Sequence, residues 1–154
     1  MIISGGYDGT VRVWRLADGT PVGQPLAGHD GTVIAVAAQA LPDGIQVIIS
    51  GGYDGTVRVW RLADGTRVGQ SLAGHDGRVF AVAAGALPDG TPVIISGGGD
   101  GTVRVWRLAD SSPVGEPLDL SEAVRAVAVH DNIIITAAGA DIAVHQPALL
   151  RPIR

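Results

Sequence analysis

Three tryptophans, Trp14, Trp60 and Trp106, recur at a fixed interval of 46 residues, and this periodicity constrains the chain more than any other feature. Around each tryptophan the text nearly repeats. Ile2–Thr20 and Ile48–Thr66 both read IISGGYDGTVRVWRLADGT, and Ile94–Asp110 reads IISGGGDGTVRVWRLAD. The other half of the unit returns as well: PLAGHDGTVIAVAAQALPDG over Pro25–Gly44 becomes SLAGHDGRVFAVAAGALPDG over Ser71–Gly90. A repeat of this length is one supersecondary unit that cannot bury its own apolar faces and must stack on its neighbours.

Each unit reads as strands. Val33–Ala38 and Val79–Ala84 are short apolar runs of the kind found in strands buried on both faces. Gln46–Ser50 and Pro92–Ser96 form a second run, Thr56–Leu62 and Thr102–Leu108 a third, and Arg67–Leu72 a weaker fourth. Asp-Gly pairs at 8–9, 18–19, 43–44, 54–55 and 89–90 punctuate these runs and mark tight turns. No window sustains a helical period, and the turns would break the helices of HEAT or armadillo repeats. The expectation is an all-β chain, with four antiparallel strands per unit forming one propeller blade.

Composition excludes several classes of function. With no cysteine, disulfides, thiolate catalysis and Cys-ligated zinc are ruled out. All 11 basic residues are arginine and the net charge is −4, so there is no basic footprint for nucleic acid. No apolar run approaches the roughly 18 residues needed to span a bilayer. The N-terminal MIISGG has neither the charged region nor the apolar core of a signal peptide. The expected compartment is the cytoplasm.

The order Gly-His, apolar strand, Ile-Ile-Ser-Gly-Gly, Asp-Gly-Thr-Val-Arg-Val-Trp resembles the WD40 family. The Trp-Asp dipeptide that names the family is replaced by Trp14-Arg15, Trp60-Arg61 and Trp106-Arg107. The resemblance implies a partial blade at 1–27 (strands b, c and d), blades at 28–73 and 74–119, and a degenerate partial blade at 120–154. In the last, Leu120-Ser121 replaces Gly-His, His145 stands at the tryptophan position, and the tail Gln146–Arg154 forms an outer strand or nothing. Such an arc is too short to close a ring alone, and two copies would supply about seven to eight blades. The expected partner is therefore a second copy of the chain, as a homodimer closing one ring, with a ring of three or more chains or an aggregating monomer as the alternatives.

His29, Ser50 and Asp54, and again His75, Ser96 and Asp100, are the residue types of a hydrolase triad. Their recurrence in one register beside Trp60 and Trp106 favours a structural reading, because an active site needs one asymmetric pocket. The resemblance implies a hydrogen-bonded chain from tryptophan through serine and histidine to aspartate. No phosphate loop, calcium loop or metal-ligand spacing is present, and no cofactor or metal is expected.

Positions that differ between units are candidates for a partner surface. Thr32 becomes Arg78, Ile34 becomes Phe80, and Tyr7 and Tyr53 become Gly99. The resemblance places them near the top face, where a protein or peptide would bind, and Tyr, Arg and Phe suit interfaces. Pro21/Arg67, Pro25/Ser71, Gln39/Gly85, Ile45/Thr91 and Gln46/Pro92 read as changes in outer strands or loops. The leading function is a non-enzymatic interaction scaffold. The alternatives are a propeller binding a small ligand or glycan at one shallow site per blade, near Tyr7 and Tyr53, and an enzyme using the His-Ser-Asp sets.

Overall fold

The computed structural model describes residues 1–131 and 133–145. Its strands form four antiparallel sheets, each built from one stretch of chain. The first holds β1 (Ile2–Gly5), β2 (Thr10–Trp14) and β3 (Leu26–Ala27). The second runs through β4 (Val33–Ala40), β5 (Gln46–Gly52), β6 (Thr56–Arg61) and β7 (Leu72–Ala73). The third repeats it as β8 (Val79–Ala86), β9 (Pro92–Gly98), β10 (Thr102–Arg107) and β11 (Leu118–Asp119). In the fourth lie β12 (Val124–His130), β13 (Ile133–Ala138) and β14 (Asp141–His145). The described residues contain no helix, and none is therefore long and apolar enough to cross a membrane. The tail Gln146–Arg154 lies outside the described residues.

Strands within a sheet follow chain order, so every connection is a hairpin. The Asp-Gly turns permit this. Gly55, for example, takes φ +76°, and a side chain there would also meet the carbonyl of Gly77 at 2.8 Å. The outermost strand is weaker than the sequence run Arg67–Leu72 implies. Arg67 makes only an isolated bridge to Trp60 before Leu72 and Ala73 rejoin β6. The Val22 and Val68 N–H groups bond to the carbonyls of Val13 and Val59, so the gap is partly closed by loop backbone.

Sheets pack face to face in chain order. Val11 and Val13 of the first meet Val33, Ile48 and Trp60 of the second. Ile49, Val57 and Val59 of the second meet Val79, Ile94 and Trp106 of the third. Ile95, Val103 and Val105 of the third meet Val124 and Ile134 of the fourth. A strand side chain alternates between faces, so each sheet offers one set forward and another backward. This is why the strands read as nearly continuous apolar runs.

At each junction a glycine receives a valine. A Cβ built on Gly5, Gly51 or Gly97 would lie 2.6, 2.6 and 2.5 Å from Cγ1 of Val33, Val79 and Val124. These glycines serve close approach between sheets rather than a turn. One position read as a bland difference does similar work. Gly85 lies on β8, an innermost strand and not an outer one, and its missing side chain admits Val129 at 2.7 Å.

Gly51→Ala should therefore destabilise the fold by overpacking, by about 1–3 kcal/mol. In a Val79→Ala background the same change should cost markedly less, because the collision is removed. Denaturant titration of both single variants and the double variant, at one protein concentration, checks this coupling. Additive costs would mean that the two residues do not share the contact.

Candidate functional site

The polar residues singled out by the repeat converge at one end of the second and third sheets. In the second sheet Trp60 Nε1–H donates to Ser50 Oγ at 2.9 Å, and Ser50 Oγ lies 2.8 Å from His29 Nε2. His29 Nδ1 is 3.1 Å from both oxygens of Asp54. The third sheet repeats the chain: Trp106 to Ser96 at 3.0 Å, Ser96 to His75 at 2.8 Å, and His75 to Asp100 at 3.0 Å. The donors fix its direction. The indole can only donate and an ionised carboxylate can only accept, so a neutral imidazole carries its hydrogen on Nδ1, which donates to the carboxylate, and Nε2 accepts from the serine hydroxyl.

Further members belong to the same set. Asp54 accepts from the Asp30 N–H at 3.0 Å and from the Thr56 hydroxyl at 2.9 Å, with Arg58 Nη2 at 3.6 Å. Asp100 accepts likewise from the Asp76 N–H and the Thr102 hydroxyl. The sequence reading passed over the two threonines, although each follows the aspartate in every Asp-Gly-Thr turn. Glycines make room for the rings. A Cβ on Gly28 would strike the Trp60 ring at 2.9 Å, and one on Gly52 would collide with the His29 imidazole.

The chemistry is that of a locked network. Burial lowers the affinity of His29 and His75 for a proton, and the facing carboxylates offset this only in part, so both pKa values lie below the ordinary 6.5. Burial alone would raise the carboxyl groups. Hydrogen bonds from histidine, backbone and threonine more than reverse that, holding Asp54 below its usual range and Asp100 at about 2. The result is a neutral imidazole against an ionised carboxylate. Ser50 and Ser96 are each 0 % exposed, and each oxygen is already engaged by an indole and an imidazole. A hydroxyl so enclosed cannot approach a substrate carbonyl. Among the described residues no cluster of His, Asp and Glu side chains is placed to hold a metal ion.

The end sheets vary the theme. Trp14 donates to Ser4 at 2.9 Å in the first. In the fourth, Ser121 does not take the place of the missing histidine. It is exposed with φ +63°, and its N–H bonds to Asp119. Instead Thr136 and His145 pair at 3.1 Å, in the register that serine and tryptophan occupy elsewhere. The sequence identified His145 as the tryptophan's replacement but missed Thr136, which fills the serine position once β13 is aligned on β9.

The divergent residues gather at the same end. Each innermost strand carries a bulge, between Val33 and Ala35, Val79 and Ala81, and Val124 and Ala126. Ile34, Phe80 and Arg125 are the bulged residues, a position that re-aims a side chain. Arg78 lies 3.7 Å above the Tyr53 ring in the neighbouring sheet, and Arg125 lies 5.3 Å from the Phe80 ring. Both are cation–π distances, and both contacts cross from one sheet to the next. Phe80 also covers Gly99, whose Cβ would sit 3.2 Å from the ring, so the two changes compensate. Thr32, partly buried at the arginine position, is too short to cover Tyr7, which stays 93 % exposed against 46 % for Tyr53.

At the opposite end of the second and third sheets, an apolar cleft of about 450 Å³ is lined by Leu41, Ile45, Val68, Pro92 and Leu108 among others. Ile45 and Pro92, read from the sequence as bland differences, help to form it.

Comparison with known proteins follows this geometry. The family model described as "WD domain, G-beta repeat" matches residues 1–15, 19–61 and 66–107. No match is found among curated proteins. The computationally designed Ika4 protein superposes with a TM-score of 0.76 at 29 % identity, covering 94 % of this chain and 83 % of that one. The computationally designed Ika8 protein superposes with a TM-score of 0.70 at 29 % identity. The match covers 92 % of this chain but only 41 % of that one.

Two outcomes follow from the network. Ser50→Ala leaves the Trp60 indole and the His29 ring without their buried partner and should cost about 1–3 kcal/mol, read as a lower denaturation midpoint. The histidines set a pH dependence. Their folded pKa values lie below the unfolded value of 6.5, so their contribution is complete above that pH and is lost as the unfolded chain takes up protons below it. Melting temperature should therefore fall between pH 7.5 and 5.5, and a His29→Gln/His75→Gln variant should show a flatter profile. Asp100 adds a separate loss between its ordinary 3.8 and about 2.

Proposed function

The chain belongs to the WD40 repeat family, and on that premise we propose that it is a non-catalytic interaction scaffold whose arc of sheets joins a second copy to close one ring. The observation that carries this reading is apolar surface at both ends of the arc. Ile2 and Leu16 on the first sheet are 46 % and 70 % exposed, and Ile142 and Val144 on the fourth are 77 % and 62 % exposed. Propeller blades bury both faces on neighbours, and open apolar faces of this kind drive association. Two copies contribute eight sheets, within the range of roughly 4 to 8 blades at which propellers close. A closed two-fold assembly is also the commonest arrangement of identical chains.

In this reading the end that carries Tyr7, Thr32, Tyr53, Arg78 and Phe80 is the surface offered to a protein or peptide. Tyr7 is the residue there with most of its ring in solvent. The burial of Ser50 and Ser96 supports a scaffold over a hydrolase. A ligand site repeated in each blade has less support, because its positions are not equivalent: Tyr7 is open, Tyr53 lies under Arg78, and the third is Gly99.

Light scattering after size exclusion tests the assembly. One chain is 15.7 kDa, and the expected mass is twice that, 31.4 kDa. A well-folded species of single-chain mass would defeat the reading.

A further inference from the structure

We infer that the joining contact is head to tail: the outer face of the fourth sheet in one copy packs on the outer face of the first sheet in the other. This rests on the ring reading above and assigns its residues. The argument comes from the three junctions already inside the chain, which share one pattern. The forward face of a sheet presents an isoleucine and two valines, as with Ile95, Val103 and Val105 of the third, which are 1 %, 1 % and 4 % exposed beneath the fourth sheet. At the first two junctions the backward face presents an isoleucine, a tryptophan and a leucine. In the third sheet these are Ile94, Trp106 and Leu108, at 0 %, 5 % and 7 % exposure beneath the second. At the third junction Ile134 keeps the isoleucine place and His145 takes the tryptophan's.

The two open faces are the two halves of that pattern. Pairing register aligns Ile135 and Val144 of the fourth sheet with Ile95 and Val105, and Ile142 with Val103. The forward set is thus complete there, with nothing described on it. On the first sheet Ile2 pairs with Trp14 as Ile94 pairs with Trp106, and Leu16 follows Trp14 as Leu108 follows Trp106. The backward set is complete as well and equally uncovered. A forward face fits a backward face at all three internal junctions, so the fourth sheet of one copy is matched to the first sheet of another rather than to itself.

A second observation bears on the fourth sheet alone. The glycine that receives a valine at each internal junction is replaced there by Ala137, which pairs with Ile142 as Gly97 pairs with Val103. A methyl at this place would collide with an incoming valine like Val124, as the 2.5 Å approach to Gly97 requires. Ala137 therefore fits a covering face that brings no valine to that point. Two copies related by a two-fold axis then share two identical seams, each joining the fourth sheet of one copy to the first sheet of the other.

The test is complementation between two surface variants, Leu16→Glu and Val144→Glu. Both side chains are largely exposed, at 70 % and 62 %, so neither change disturbs the fold of the arc. Wild-type chain should scatter at 31.4 kDa, twice the 15.7 kDa of one chain, and each variant alone at 15.7 kDa, because every seam then carries a buried glutamate. An equal mixture should recover the two-chain mass, since one seam joins an intact fourth sheet to an intact first sheet. If Leu16→Glu keeps the two-chain mass while Val144→Glu loses it, the fourth sheet pairs with itself and the inference fails. It fails too if the mixture stays at single-chain mass. A two-chain wild type whose variants do not complement removes only the head-to-tail assignment, whereas a single-chain wild type removes the ring itself.

Discussion

A sheet that is apolar on both faces has to be covered twice, and everything else in this molecule follows from how that is done. At every junction a forward isoleucine–valine face meets a backward face and a valine enters the gap left by a glycine. The backward face is isoleucine–tryptophan–leucine at the first two junctions, and at the third Ile134 keeps the isoleucine place while His145 takes the tryptophan's. Burial of this kind is non-directional in origin, roughly proportional to the area removed from water. The glycine–valine approach gives it a register, because a sheet displaced along its neighbour would lose the gap. The end sheets inherit one uncovered face each, and the assembly we propose continues an interface the chain already makes internally.

The hydrogen-bonded chains act on this frame from one end. They join His29 or His75, in the loop that leads into the innermost strand, to the second and third strands of the sheet through serine and aspartate. A buried chain with every member satisfied is rigid, and losing one member strands the rest. Arg78 on Tyr53 and Arg125 near Phe80 then tie one sheet to the next at the same end. Polar order within sheets and apolar fit between them are thus separate devices, and only the first responds to pH.

Much of this was legible in the sequence because the repeat aligns equivalent residues. The period placed the strands, the Asp-Gly pairs placed the turns, and the recurrence of His, Ser and Asp beside tryptophan marked a structural set. What was not legible depended on contacts between units. Gly85 looked like an idle difference from Gln39 until Val129 was seen against it. The role of Thr136 was hidden because β13 and β14 share only Ile134, Ile135 and Val144 with their counterparts and the Thr136–His145 separation is one residue shorter than serine to tryptophan elsewhere. Phe80 and Arg78 read as partner-binding candidates, and each also makes a contact inside the molecule that the repeat alone does not show: Arg78 lies over Tyr53, and Phe80, at the bulge, lies over Gly99.

Trp14 offers the most direct view of the central claim, that the open end faces cover one another. It occupies the register of Trp60 and Trp106, which are 2 % and 5 % exposed, but has no sheet described over it. Fluorine NMR of chain labelled with 5-fluorotryptophan resolves three signals, and a soluble paramagnetic agent reports which of them face water. The account predicts that at high protein concentration all three are shielded, and that dilution exposes Trp14 alone. A Trp14 signal that stays open to the agent at every concentration, while the chain remains folded, would contradict it.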